Sequence, residues 1–122
     1  MSLEILIADG RTTFAPGDEI HGQVRWTLDR APPWVELRLF WYTEGKGTQD
    51  VAVAAHTRFT NQDAQGGGSF SLRAPAHPPS CSGRLVSIRW ALELVTGDDQ
   101  PVTRIELVIG PGAREIMLGH VD

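Results

Sequence analysis

The amino-acid sequence predicts an all-β protein, an immunoglobulin-like sandwich of two antiparallel sheets. Most segments alternate apolar and polar side chains with a period of two, and clusters of Gly, Pro and Asp separate them at the short intervals typical of sandwiches and barrels. No segment shows a convincing helical period. The 122 residues suffice for one core, and 41% apolar with 21% charged residues matches globular averages, which argues against a disordered or fibrous chain. In the absence of a linker or repeat, residues 1–122 are expected to form one domain, with 110–122 as a C-terminal tail.

Leu3 to Ile7 reads as a first strand, Asp9-Gly10 as a turn and Arg11 to Phe14 as a short second strand. Pro16-Gly17-Asp18 is turn chemistry, because proline presets φ and glycine accepts positive φ. From Ile20 to Leu28 the even positions Ile20, Gly22, Val24, Trp26 and Leu28 define an inward face, with His21, Gln23 and Arg25 opposite. After a break at Arg30 to Pro33, Val35, Leu37, Leu39 and Trp41 make an inward apolar row. Val51 to Thr60 repeats the alternation, with Val53, Ala55, Thr57 and Phe59 inward.

Gly66-Gly67-Gly68 reads as a flexible hairpin connection into Ser69 to Ala74, where Phe70 and Leu72 point inward. Pro75 to Gly83 reads as irregular, because its prolines withhold ladder donors. Arg84 to Thr96 is the longest expected strand, with Val86, Ile88, Trp90, Leu92 and Leu94 inward. Gly97-Asp98-Asp99 turns it into a hairpin partner over Val102 to Ile109. The tail from Gly110 carries a small apolar cluster, Ile116-Met117-Leu118, without a clear period.

Two patches resemble the arrestin-like superfamily, which includes visual and β-arrestins, α-arrestins, retromer-associated relatives and a bacterial sporulation-control branch. The first runs from Phe14-Ala15-Pro16-Gly17-Asp18-Glu19 into Ile20-His21-Gly22-Gln23-Val24 and is similar to the family's aromatic, proline, glycine, acid opening, followed by a hydrophobic-x-glycine-x-hydrophobic strand. The second is Phe70-Ser71-Leu72, Ala74-Pro75, Pro78-Pro79-Ser80-Cys81 and Gly83, then the strand Ile88-Arg89-Trp90-Ala91-Leu92. Their order implies one arrestin half over nearly the whole chain. Full arrestins carry two halves, so recognition that needs both is not implied. The resemblance implies an adaptor or regulatory scaffold with protein partners and no catalytic role.

Chemistry-bearing residues support no competing activity. Four histidines are present, but none has a second histidine, cysteine or well-placed carboxylate at metal-ligand spacing, so no metal or other cofactor is expected. Ser80-Cys81 has only His77 nearby and no orienting third group, and Gly66 to Gly68 is followed by no Lys-Ser or Lys-Thr, which argues against a nucleophile or a phosphate loop. A net charge of −4 with scattered Lys and Arg disfavours nucleic acid. Apolar runs are too short to span a bilayer, and the single cysteine, Cys81, fits a reducing compartment, so a cytoplasmic location is expected.

The outward side of the strand after Trp34 is the expected partner surface. With Val35, Leu37, Leu39 and Trp41 inward, a regular strand turns Glu36, Arg38, Phe40 and Tyr42 outward, and Trp34 stands beside them next to two prolines. Trp34, Arg38, Phe40 and Tyr42 are therefore the candidate contacts, unless a bulge, the tail or a loop covers them. Self-association is expected as well, because a lone half leaves sheet edges unpaired, with the tail as the alternative cover. Four tryptophans in so short a chain raise a second possibility, a small-ligand or carbohydrate-binding sandwich, although Trp26, Trp41 and Trp90 fall on inward positions.

Overall fold

The computed structural model describes residues 2–45, 47, 49–59, 63–98, 100 and 102–118. They form two packed sheets, as the alternation predicts. β1 (Ser2–Ile7), β3 (Glu19–Thr27) and β6 (Gln65–Arg73) make a small antiparallel sheet in the order β1-β3-β6. The large sheet is built on the antiparallel pair β4 (Val35–Gly45) and β8 (Val86–Thr96). β5 (Val51–Phe59) flanks β4 on the far side. The other side of β8 is shared by β9 (Thr103–Ile109) and the short β7 (Cys81–Ser82). Two further short strands, β2 (Thr13–Phe14) on β9 and β10 (Ile116–Met117) on β7, pair in parallel, so the antiparallel expectation holds for every long strand but not for these two.

Apolar faces of both sheets meet in one core. Ile20, Val24 and Trp26 come from the small sheet and Val35, Leu37, Leu39, Trp90, Leu92 and Leu94 from the large one, all buried. Trp26 and Trp90 keep their indole N–H groups satisfied by donating to the Asp63 and Pro78 carbonyls at 2.9 and 2.7 Å, which removes the desolvation cost of burying them. Trp41 packs against the core from a half-buried position. Three of the four tryptophans thus serve packing.

Several sequence expectations are corrected. Gly66-Gly67-Gly68 is not a loop but part of β6, paired with Trp26, Arg25 and Val24. Its lack of side chains makes room for Phe59, whose ring leans on Trp26 with centroids 6.0 Å apart and whose Cδ1 would lie 2.7 Å from a Cβ at Gly68. Val53 is not inward. The register between β4 and β5 shifts between Leu39 and Phe40, leaving Ala54 as an extra residue, and this bulge turns Val53 to the outer face opposite Phe40. Val86 begins β8 opposite Gly45 and is 44% exposed, because the sheet ends there.

The stretch from Pro75 to Gly83, expected to be irregular, contains β7. Ser80 prepares it by acting like a strand residue: its N–H donates to the Ile109 carbonyl at 2.7 Å, and its Oγ accepts from the Ile109 N–H at 2.9 Å. Cys81 is buried, with Ile116 of the tail strand paired beside it in the sheet. The tail therefore covers this edge, with the Ile116 and Leu118 N–H groups donating to the Ser80 and Ser82 carbonyls. Thr60 and Asp99, and the tail beyond Leu118 with His120, lie outside the described residues.

Gly22 marks a close approach within the small sheet rather than between sheets. A Cβ there would stand 2.0 Å from the Leu6 carbonyl oxygen, a backbone atom that cannot move without opening the β1–β3 ladder. Gly22→Ala is expected to cost about 2–3 kcal/mol, as forced overpacking does. Urea unfolding checks this: the midpoint should fall with the slope unchanged.

Candidate functional site

The outer face of the large sheet gathers the candidate residues. Because β4 alternates, Glu36, Arg38, Phe40 and Tyr42 share this face, and the register sets Arg58 beside Glu36, Glu93 beside Arg38, Ala91 and Val53 beside Phe40, and Arg89 beside Tyr42. Trp34 lies just ahead of the strand and is half-buried.

At the Trp34 end a carboxylate organises two arginines. Glu36 accepts from Arg38 Nε at 2.6 Å and from Arg58 Nε at 3.3 Å. Both guanidiniums lie over the Trp34 ring, Arg58 at 4.5 Å and Arg38 at 5.8 Å from its centroid. The Glu36 side chain is only 8% exposed. Burial pushes its pKa up, but the hydrogen bonds and charge of Arg38, and then of Arg58, outweigh that and hold it below the ordinary carboxylate range.

At the other end the organiser is Arg104 on β9. It donates to Glu93 from Nε at 3.1 Å and Nη2 at 2.8 Å, and its guanidinium spreads over Phe40 at 5.0 Å and Tyr42 at 5.5 Å. Phe40 is consequently buried, at 7% exposure. This corrects the expectation of two open aromatics: a side chain from another strand covers one of them. Tyr42 stays half-exposed, stacks on Phe40 at 5.9 Å and donates its hydroxyl to Glu106 Oε1 at 2.7 Å. Burial, followed by the Glu106 hydrogen bond and charge, raises the pKa of Tyr42.

Below Tyr42, Arg89 bridges Glu44 at 3.0 Å and Glu115 of the tail at 3.4 Å, and Ser82 Oγ also donates to Glu115, at 2.9 Å. Phe40, Tyr42, Glu44, Val51 and Arg104 border a shallow hollow of about 370 Å³. The sequence placed Trp34, Arg38, Phe40 and Tyr42 on one face, and the structure brings them together there. It missed Arg104 and Glu106, although their alternation with Ile105 and Leu107 inside the expected last strand was the available signal.

The carboxylates of this face are each tied to an arginine, a serine or a tyrosine, and among the described residues no three His, Cys, Asp or Glu side chains converge to hold a metal. His21 sits on the outer face of the small sheet, with Glu19 at 3.0 Å.

The Glu36 cluster makes stability depend on acid. A carboxylate whose folded pKa is depressed contributes stability that is fully present above its unfolded pKa and lost as pH falls through the folded one. Glu36→Gln is expected to cost about 2 kcal/mol at neutral pH, the range of a hydrogen bond to a charged group. Stability curves against pH test it: the variant and the parent should converge at acid pH, below the ordinary carboxylate range.

No family model and no curated protein matches the chain by sequence. Among solved structures it is similar to the sporulation control protein Spo0M from Bacillus subtilis, with a TM-score of 0.64 at 15% identity. The match covers 88% of this chain and 48% of that one, so the chain spans about half the length of the protein it matches. Among the described residues, no helix is long and apolar enough to cross a membrane. At this level of identity the similarity speaks to architecture, and the fold is that of an arrestin-like β-sandwich.

Proposed function

We propose that this chain is a non-enzymatic protein–protein interaction module, an adaptor or regulatory scaffold in the cytoplasm, with residues 1–122 acting as one domain. The observation that carries the reading is the outer face of the large sheet, where Trp34, Arg38 and Tyr42 share one side with Arg104, which lies over the buried Phe40. Its arginines are held by Glu36 and Glu93 before any partner arrives, so little side-chain entropy remains to be lost on binding. Aromatic and arginine side chains are also the usual anchors of interfaces. The matched Spo0M structure is that of a sporulation control protein, and a regulatory role here is consistent with it. A sugar-binding platform has less support, because Trp26 and Trp90 are sealed in the core and two guanidiniums lie over Trp34.

The test is capture of partners from the native cell, followed by affinity measurement with purified variants. Trp34→Ser with Tyr42→Ser should weaken binding by about 2 kcal/mol or more, the cost of losing interface anchors. Phe40 is left intact, because its burial makes it part of the fold. Gln23→Ala with Ser71→Ala, on the outer face of the small sheet, should bind as the parent does. Equal loss in both double variants would overturn the assignment of this face.

A further inference from the structure

Strand β5 is the margin of the large sheet, with β4 as its ladder partner among the described residues. Its first half is regular, since the bulge comes only at Ala54. The Thr43 N–H donates to the Asp50 carbonyl at 3.0 Å. Backbone groups of an antiparallel strand point alternately to its two sides, so Asp50 and Ala52 face β4 while Val51 and Val53 direct theirs to the open side. The same two residues expose their side chains, Val51 at 66% and Val53 at 53%. An edge is commonly blunted by lysine or proline, and Val51 to Phe59 contains neither.

We propose that this edge pairs antiparallel with the same edge of a second copy of the chain, about a two-fold axis through Ala52. This rests on the reading of the chain as a protein-binding module and names a second copy of the chain as one of its partners. The axis follows from the residues. Centred on Ala52, each Val51 faces the partner's Val53, both members of the pair have free backbone groups, and they exchange two hydrogen bonds in each of two places. An axis through Val51 or through Val53 would match only one valine with a valine.

Charge fits the same register, because Asp50 faces the partner's Ala54 and no like charges of the described segment are opposed. The four valines then continue outward from Phe40 and Tyr42, to which Val53 and Val51 are already paired within each copy. Two large sheets become one, with their aromatic and arginine faces on a common side.

Ala52 would meet the partner's Ala52 in a non-hydrogen-bonded pair, with Cα atoms about 4.5 Å apart, within the separation a disulfide spans. The full chain carrying Ala52→Cys is therefore oxidised and analysed for covalent dimer, with Gln49→Cys as the off-axis control. The native Cys81 is buried and out of reach. Rapid linkage of Ala52→Cys and not of Gln49→Cys is expected. Sedimentation of the otherwise unchanged chain should show a concentration-dependent dimer that Val53→Lys abolishes without altering the circular-dichroism spectrum or the melting temperature. A parent chain that stays monomeric, a dimer that survives Val53→Lys, or equal linkage at both cysteines would overturn the pairing. A monomer that still captures a protein through Trp34 and Tyr42 would overturn it and leave the module reading intact.

Discussion

The register between β4 and β8 is the constraint on which the rest depends. Eleven residue pairs join these two strands, and each pair assigns side chains to both faces of the sheet at once. On one face Leu37 meets Leu94, Leu39 meets Leu92 and Trp41 meets Trp90, which supplies the centre of the core. On the other, Arg38 meets Glu93, Phe40 meets Ala91 and Tyr42 meets Arg89. A slip of one residue would exchange these faces, burying charge and exposing leucine. Core and candidate surface are therefore two consequences of one ladder, and the cost of desolvating Glu93 or Arg38 in the core protects the surface pattern as firmly as the leucines protect the core.

This coupling explains which features the sequence made legible. β3, β4 and most of β8 read correctly because each turns an apolar row to the core, so a period of two survives in the residues themselves, even though β4 and β8 also bury residues such as Phe40 and Ala91 on the other face. The resemblance carried by the Phe14–Val24 and Phe70–Leu92 patches pointed to the same sandwich that the fold displays. What stayed hidden depends on a partner strand. The glycines at 66–68 carry the signature of a loop, yet they pair in a strand, and Phe59, a residue of another strand, occupies the volume that a side chain at Gly68 would need. Val53 keeps its alternation with Ala55 in sequence but loses it in space, because an unpaired Ala54 intervenes. A bulge is invisible to a period count. Ser80 shows the opposite case: a proline-rich segment reads as irregular, but the Ser80 hydroxyl accepts from the Ile109 N–H just ahead of β7.

The candidate face was half legible for the same reason. Alternation is enough to place Trp34, Arg38, Phe40 and Tyr42 together, but whether each is open depends on what lies across the sheet. Arg104 follows Phe40 by more than sixty residues, and only the β8–β9 hairpin laid against β4 brings its guanidinium over the ring. The result differs from an exposed aromatic patch. Phe40 contributes its volume to the fold while Arg104 presents a charged, planar surface in its place, oriented by Glu93. A face built in this way remains compatible with water, because the apolar ring is covered, and still offers a rigid plane for contact.

The edges of the two sheets complete this logic, because a sandwich must dispose of each strand margin. The β7 edge receives the tail strand, fastened by Glu115 to Ser82 and Arg89 and by two backbone bonds. β9 receives β2 along Val108 and Ile109. In the small sheet, β1 carries Glu4, a charge that discourages intrusion, and the serines and glycines of β6 give an incoming strand little apolar surface. β5 has its bulge at Ala54, and the two valines before it are exposed. Among the described residues, the valines of β5 are the ones that combine an open margin with two large exposed apolar side chains. Two exposed valines beside free backbone groups cost solubility in isolation, and a second copy of the same stretch would satisfy both the side chains and the backbone.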